Sequence, residues 1–122
     1  MKISPAEGKV LDILWERGPV DAVQVVAALA ESEGWGDPTV RTLLRRLIAK
    51  KAVAKEKAHG RPLYRALVAR ADVAQAESEA LIGRFFEGRL SPLVMQFSER
   101  GQLTEDDVAV LRRLIEDIDH GR

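Results

Sequence analysis

Ala6, Val10, Ile13 and Leu14 recur at spacings of three and four, the signature of one apolar helical face. Ahead of them Ser4 can accept from the amide three residues on and Glu7 can reach back. Pro5 stands where its missing N–H costs nothing, so a capped helix is predicted over about 5–17, stopped by Gly18-Pro19. Asp21 starts a second helix, with Gln24 in the box position and Val20 as a staple; it runs through Val25, Val26 and Leu29 to Gly34-Trp35-Gly36. Asp37-Pro38 opens a third, with Asp37 as the cap, reaching about Lys51 with Val40, Leu43, Leu44 and Leu47 on one face. A turn of about 100° per residue then sends Thr42, Arg45, Arg46 and Ala49 away from that stripe and leaves Thr39 and Arg41 on its flanks.

The period then shortens. Ala52 to Lys57 and Leu63 to Val68 flank the His59-Gly60 turn and predict a β-hairpin. From Ala69 onward the pattern is helical throughout: a long segment capped by Asp72 and ending near Gly88, a short one started by Ser91-Pro92, and a last one from Thr104. The last places Val108, Leu111, Ile115 and Ile118 at spacings of three, four and three, with Val110 and Leu114 broadening the seam. Three helices totalling about 50 residues bury little core alone and need a partner surface. The predicted class is mainly α with a small β-hairpin wing: a winged helix-turn-helix domain at 1–68, then a helical region at 69–122.

Composition sharpens this division. The 122 residues carry 19 Lys+Arg and 19 Asp+Glu, a net charge of zero. Residues 1–68 nevertheless hold 12 basic against 8 acidic side chains, and residues 69–122 hold 7 against 11. Within 38–65 there are 9 basic side chains and the single carboxylate of Glu56. The absence of cysteine excludes disulfides, thiolate zinc sites and thiol catalysis, and fits a reducing cytoplasm. The longest apolar run, Val25 to Ala30, is six residues, against about 18 needed to span a bilayer, so no membrane insertion is expected. His59 and His120 are the only histidines, and no nucleophile elbow, zinc-helix motif or phosphate-cradling glycine loop is present. Glu105-Asp106-Asp107 follow Thr104 as first-turn residues favoured by the helix dipole rather than as a catalytic cluster. Neither an enzyme nor a cofactor is expected.

The order helix, helix, basic helix, hairpin is the winged helix-turn-helix plan, whose third helix enters the DNA major groove while the hairpin touches the backbone beside it. On that plan Arg41 and Thr42 read base edges, arginine through a bidentate contact to guanine. Arg45, Arg46, Lys50, Lys57 and Arg61 hold phosphates. Thr39 either reaches a base edge or supplies an extra capping hydroxyl, and His59 either nears phosphate at the wing tip or is a plain turn residue. Trp15 is expected to pack at the core or the domain junction; Trp35 anchors its turn or lies exposed. The alternative to a DNA-binding protein is a protein-interaction module built on the same winged helix.

The string Thr39-Val40-Arg41-Thr42-Leu43-Leu44-Arg45-Arg46-Leu47, with Ala6-Glu7, Val10, Leu11, Leu14 and Trp15 before it and Tyr64, Leu93-Val94, Phe97, Leu111, Leu114 and Ile115 after it, resembles the penicillinase-repressor (BlaI/MecI) family over essentially the whole chain. The resemblance implies a homodimer whose C-terminal helices interlock, making 69–122 a helical dimerisation region, and whose two winged helices bind a palindromic double-stranded operator as a repressor. Ile82, Phe85, Phe86, Leu93, Val94, Phe97, Val108, Leu111, Leu114, Ile115 and Ile118 are assigned to the dimer contact. Copper-responsive relatives carry C-terminal cysteines, absent here, so that route to metal sensing is out. Other relatives answer β-lactams through a membrane sensor-protease that cuts an Asn-Phe bond. The matching pair here is Gln96-Phe97, which is either that proteolytic site or simply packing.

Overall fold

Three of the helices begin with the reciprocal capping box, in which a side chain accepts from an amide three residues on and is answered by that residue's side chain. Ser4 with Glu7, Asp21 with Gln24 and Thr104 with Asp107 all close it. The computed structural model describes residues 1–121 and gives the order α1 (Pro5–Arg17), α2 (Ala22–Glu33), α3 (Asp37–Ala49), β1 (Val53–Ala58), β2 (Arg61–Ala66), α4 (Arg70–Phe85), α5 (Leu90–Glu99) and α6 (Glu105–Asp119). The fold is the expected mainly helical one with a hairpin wing. Arg122, the last residue of the expected dimerisation region, lies outside the described residues.

Local chemistry corrects several boundaries. Asp37 is not the cap of α3 but its first residue; Gly36 occupies the cap without a side-chain hydrogen bond. The Asp37 carboxylate is engaged elsewhere, as described below. Asp72 likewise sits inside the first turn of α4 rather than capping it, because Ala69 has already turned the chain by accepting from the amides of Asp72 and Val73. The second strand begins two residues earlier than expected, at Arg61, because the hairpin loop is only two residues. His59 and Gly60 both have positive φ, 54° and 78°, the conformation that joins two right-twisted strands most tightly.

One tertiary link extends the sheet. Val20, between α1 and α2, exchanges two backbone hydrogen bonds with Tyr64 of β2, at 3.2 and 2.7 Å. The wing is thereby joined to the helical core, a role the staple reading of Val20 did not contain.

The core of the first compact unit, residues 1–77, is built by α1 (Val10, Leu11, Leu14), α2 (Val25, Leu29), α3 (Val40, Leu43, Leu44, Leu47) and the base of the hairpin (Ala52, Val53, Tyr64). Burial of each large aliphatic side chain contributes about 1.5–3 kcal/mol. This unit takes in the start of α4: Val73 packs on the core, Trp15 Nε1 donates to Val68 O at 2.8 Å, and the Arg70 guanidinium lies 4.9 Å from the Trp15 ring centre. The unit therefore ends inside α4, nine residues beyond the 68/69 division read from composition. The second unit, from Ser78 onward, holds the rest of α4 with α5 and α6, and none of its described side chains is fully buried.

Among the described residues the single buried charge is Glu7, 2% exposed. Its Oε1 accepts from the Ser4 amide at 2.8 Å and from Lys50 Nζ at 2.5 Å, and Lys50 also donates to Lys2 O at 2.6 Å. Burial pushes the Glu7 carboxyl up. The Lys50 hydrogen bond, the Ser4 amide, the Lys50 charge and the Ser4 hydroxyl outweigh it, and the group sits below its ordinary value of 4.5. A carboxyl depressed on folding stabilises the fold above its unfolded pKa, and that contribution is lost as pH falls through the folded value. Glu7→Gln is expected to cost about 1–3 kcal/mol at pH 7. In chemical denaturation series the gap to the wild type should close progressively below about pH 4.5; a gap constant down to pH 2 would show that the charge of Glu7 contributes nothing.

Candidate nucleic-acid interface

α3 presents two unlike faces because its apolar residues recur every three or four positions. Val40, Leu43, Leu44 and Leu47 are buried, Thr39, Arg45 and Arg46 are exposed, and Arg41 and Thr42 are partly exposed. Its 13 residues make a rod of about 20 Å, and a helix fits a B-DNA major groove about 12 Å wide. Arg45 Nη2 donates to Thr42 Oγ1 at 3.1 Å, and Arg46 is exposed with no protein hydrogen bond or ion pair recorded for it among the described residues.

The helix ends in a Schellman motif: the Lys51 amide donates to Ile48 O at 3.0 Å and the Ala52 amide to Leu47 O at 2.9 Å, with Lys51 at φ 64°. This turn passes the chain directly into β1. In the hairpin, alternation puts Lys55 and Lys57 on the face that carries Val53 and Tyr64, and Glu56, Arg61 and Arg65 on the other. Lys55 Nζ lies 5.9 Å from the Tyr64 ring centre. His59 is exposed at the tip.

Carboxylates meet four of the cations. Arg41 Nε donates to Asp37 Oδ1 at 2.6 Å, one helical turn back. Arg65 donates twice to Glu56 across the hairpin, at 3.1 and 2.9 Å, and these bonds hold the Glu56 carboxyl below and the Arg65 guanidinium above their ordinary values. Arg61 Nη2 donates to Asp21 Oδ2, the same carboxylate whose other oxygen caps α2. Lys50 is committed to Glu7. Arg41 and Thr42 are consecutive on α3 and both partly exposed, whereas Lys50 and Arg61 each have an internal partner that sequence reasoning missed. The Asp37–Arg41 spacing of four was legible; Asp21 and Arg61 are 40 positions apart, and no local pattern joins them.

In the second unit, the side chains expected at a dimer contact divide by exposure. Ile82, Phe86, Leu93, Val94 and Leu111 are half-buried, and Phe85, Phe97, Val108, Leu114, Ile115 and Ile118 are exposed. Gln96 is exposed, and the Gln96–Phe97 bond lies within α5. Among the described residues no group of three or more His, Asp or Glu side chains is placed to hold a metal ion, and no helix is long and apolar enough to cross a membrane.

A family model described as penicillinase repressor matches residues 3–117. The chain belongs to the penicillinase-repressor family. It is 28% identical over 116 residues to the penicillinase repressor of Bacillus licheniformis, covering 95% of this chain and 91% of that one. It is also 28% identical over 114 residues to the methicillin resistance regulatory protein MecI of Staphylococcus aureus strain N315, covering 93% of each. Among solved structures it is similar to the DNA-binding domain of the repressor BlaI, with a TM-score of 0.53 and 28% identity over 58% of this chain and 87% of that one. It is similar too to the monomeric form of Bacillus licheniformis BlaI in complex with the blaP half-operator, with a TM-score of 0.54 over 59% of this chain and 88% of that one.

In this penicillinase-repressor family member the Asp21 carboxylate does two jobs, and substitution separates them. Asp21→Ala should cost about 0.5–2 kcal/mol through the lost cap. Asp21→Ser keeps a capping oxygen but releases Arg61, and should lie within about 0.5 kcal/mol of the wild type, since exposed ion pairs contribute little. Thermal unfolding of both variants checks the order; equal losses would mean that the ion pair, not the cap, is what matters.

Proposed function

We propose that this chain is a transcriptional repressor that binds a palindromic double-stranded DNA operator as a homodimer, with α3 in the major groove and the hairpin on the flanking backbone. The observation that carries this reading is the outer face of α3: Thr39, Arg41, Thr42, Arg45 and Arg46 stand outside a fully apolar buried stripe. The fold likeness to a repressor bound to its half-operator supports the same use of that face. Arg41 and Thr42 read bases, with Thr39 beside them at the helix start. Arg45, Arg46, Lys57 and the wing tip at His59 and Arg61 hold phosphate, Arg61 by exchanging its carboxylate for one. Lys50 contributes through Glu7 to the seating of α3.

Two tests follow from the unequal roles. Arg46→Ala should weaken binding to all duplexes and lower the slope of log K against log salt by about 0.9 for each phosphate contact it loses in one protomer. Arg41→Ala should instead cost about 1–3 kcal/mol chiefly on the selected sequence. Fluorescence anisotropy on selected and scrambled duplexes at several salt concentrations reads both; equal losses from Arg41→Ala on the two duplexes would remove its base-reading role.

The homodimer rests on the second unit. A segment with no fully buried side chain among its described residues, and with Phe85, Phe97, Leu114, Ile115 and Ile118 exposed, presents the apolar surface of an interface rather than of a free domain. Two half-site readers joined in this way gain operator affinity by effective concentration. The full chain should sediment as a dimer at micromolar concentration. Residues 1–77, which carry their own core, should sediment as a monomer and lose most operator affinity; tight binding by that fragment would refute the dimer requirement.

Repression is relieved, in this reading, by a membrane sensor-protease acting at Gln96–Phe97, which would separate α6 from the DNA-binding unit. Because that bond lies in a helix, α5 must unwind locally before it can be cut. Fragment masses from cells exposed to a β-lactam decide this: a break after Gln96 is expected, and an intact chain throughout derepression would exclude the proteolytic route.

A further inference from the structure

Of the guanidinium groups in the basic segment, Arg41 is held in a way the others are not. Arg45 uses a terminal nitrogen on Thr42, Arg61 uses one on Asp21, and Arg65 uses both Nε and a terminal nitrogen on Glu56. Arg41 is tied by Nε alone, 2.6 Å from Asp37 Oδ1, and no protein partner is recorded for either terminal nitrogen among the described residues. Its side chain is 41% exposed and that of Asp37 54%, so the pair stands at the solvent-facing start of α3 rather than in the core.

We propose that Asp37 is the positioning and specificity-determining residue for Arg41, holding its guanidinium by Nε so that the two terminal amino groups stand free as a fork for one guanine. The idea rests on the operator-binding reading above and adds to it a residue that acts through another. Bidentate recognition of guanine needs two parallel N–H donors presented together to O6 and N7. An untied arginine meets this geometry only by giving up rotamer freedom on binding, and it can equally turn to a phosphate. The Asp37 carboxylate removes part of that freedom beforehand. Its negative charge also lies where a misplaced phosphate would approach, so it weakens contact with sequences that do not supply the guanine. Asp37 thus trades general affinity for selectivity.

A purely structural role is the competing explanation, since an acidic residue in the first turn favours any helix. That role predicts equal effects on every duplex. The test uses the full-length chain: the preferred site is selected from a random duplex library, and binding is then measured on that site, on the site with the contacted guanine replaced by 7-deazaguanine, and on a scrambled duplex. Asp37→Ala should tighten binding to the scrambled duplex while the preference for guanine over 7-deazaguanine falls about five- to tenfold. In an Arg41→Ala background the same substitution should change the preference no further. Asp37→Asn keeps an acceptor without the charge, and should retain most of the preference while gaining the scrambled-duplex affinity; it also serves as the test if the alanine variant loses its helical circular dichroism. An unchanged guanine preference in Asp37→Ala, or a loss that persists without Arg41, would overturn the proposal. Library selection by the wild type that enriches no sequence would overturn the operator-binding reading itself, and this one with it.

Discussion

Burial of Val40, Leu43, Leu44 and Leu47 fixes the rotation of α3 about its own axis, and the candidate interface depends on that rotation. Turning the helix by one residue, about 100°, so that Arg45 took the place of Leu44 would carry Leu43 and Leu47 toward water, losing about 1.5–3 kcal/mol for each leucine exposed, before any cost of burying charge. No exposed ion pair on the surface is worth as much. The apolar stripe therefore aims Thr39, Arg41, Thr42, Arg45 and Arg46 outward without any of those residues having to do so. Glu7 and Lys50 reinforce the seating from the side, joining the start of α1 to the end of α3.

Charge at this surface is moderated rather than maximal. Of the nine cations between residues 38 and 65, Arg41, Lys50, Arg61 and Arg65 face carboxylates. The Arg61 and Arg65 pairs are solvent-exposed on the arginine side, where an ion pair contributes little, so a phosphate can replace the carboxylate there, while Arg41 is held through Nε alone. Only Lys50, on a buried partner, is committed. A protein with zero net charge can thus keep a locally basic face whose charge is partly offset by neighbouring carboxylates.

The two units differ in how they reach stability. Residues 1–77 enclose a contiguous core with Val10, Leu11, Val25, Val40 and Leu47 essentially inaccessible to solvent. The second unit has caps and amphipathic faces of the same quality, including a complete box at Thr104 and Asp107, yet it buries no side chain fully among its described residues. Local signals are sufficient to form helices there; a core needs surface from elsewhere. The Gln96–Phe97 bond lies in this unit, where opening a helix disturbs little internal packing.

The sequence alone determined whatever is set by neighbours within a few positions. The caps at Ser4, Asp21 and Thr104, the apolar face of α3, the His59-Gly60 turn and the basic segment were all legible, because helix periodicity, capping and tight turns act over at most four residues. Asp37 and Asp72 were misread as caps because an Asp beside a helix start satisfies the same local pattern whether it stands just outside or just inside. Only the tertiary structure decided the rest: the Val20–Tyr64 bridge that joins the wing to the core, the Asp21–Arg61 pair, the burial of Glu7 against Lys50, and the start of α4 held by Trp15 through Val68 and Arg70. Each joins residues at least 40 positions apart, where contact follows from how whole elements pack and leaves no trace in local spacing.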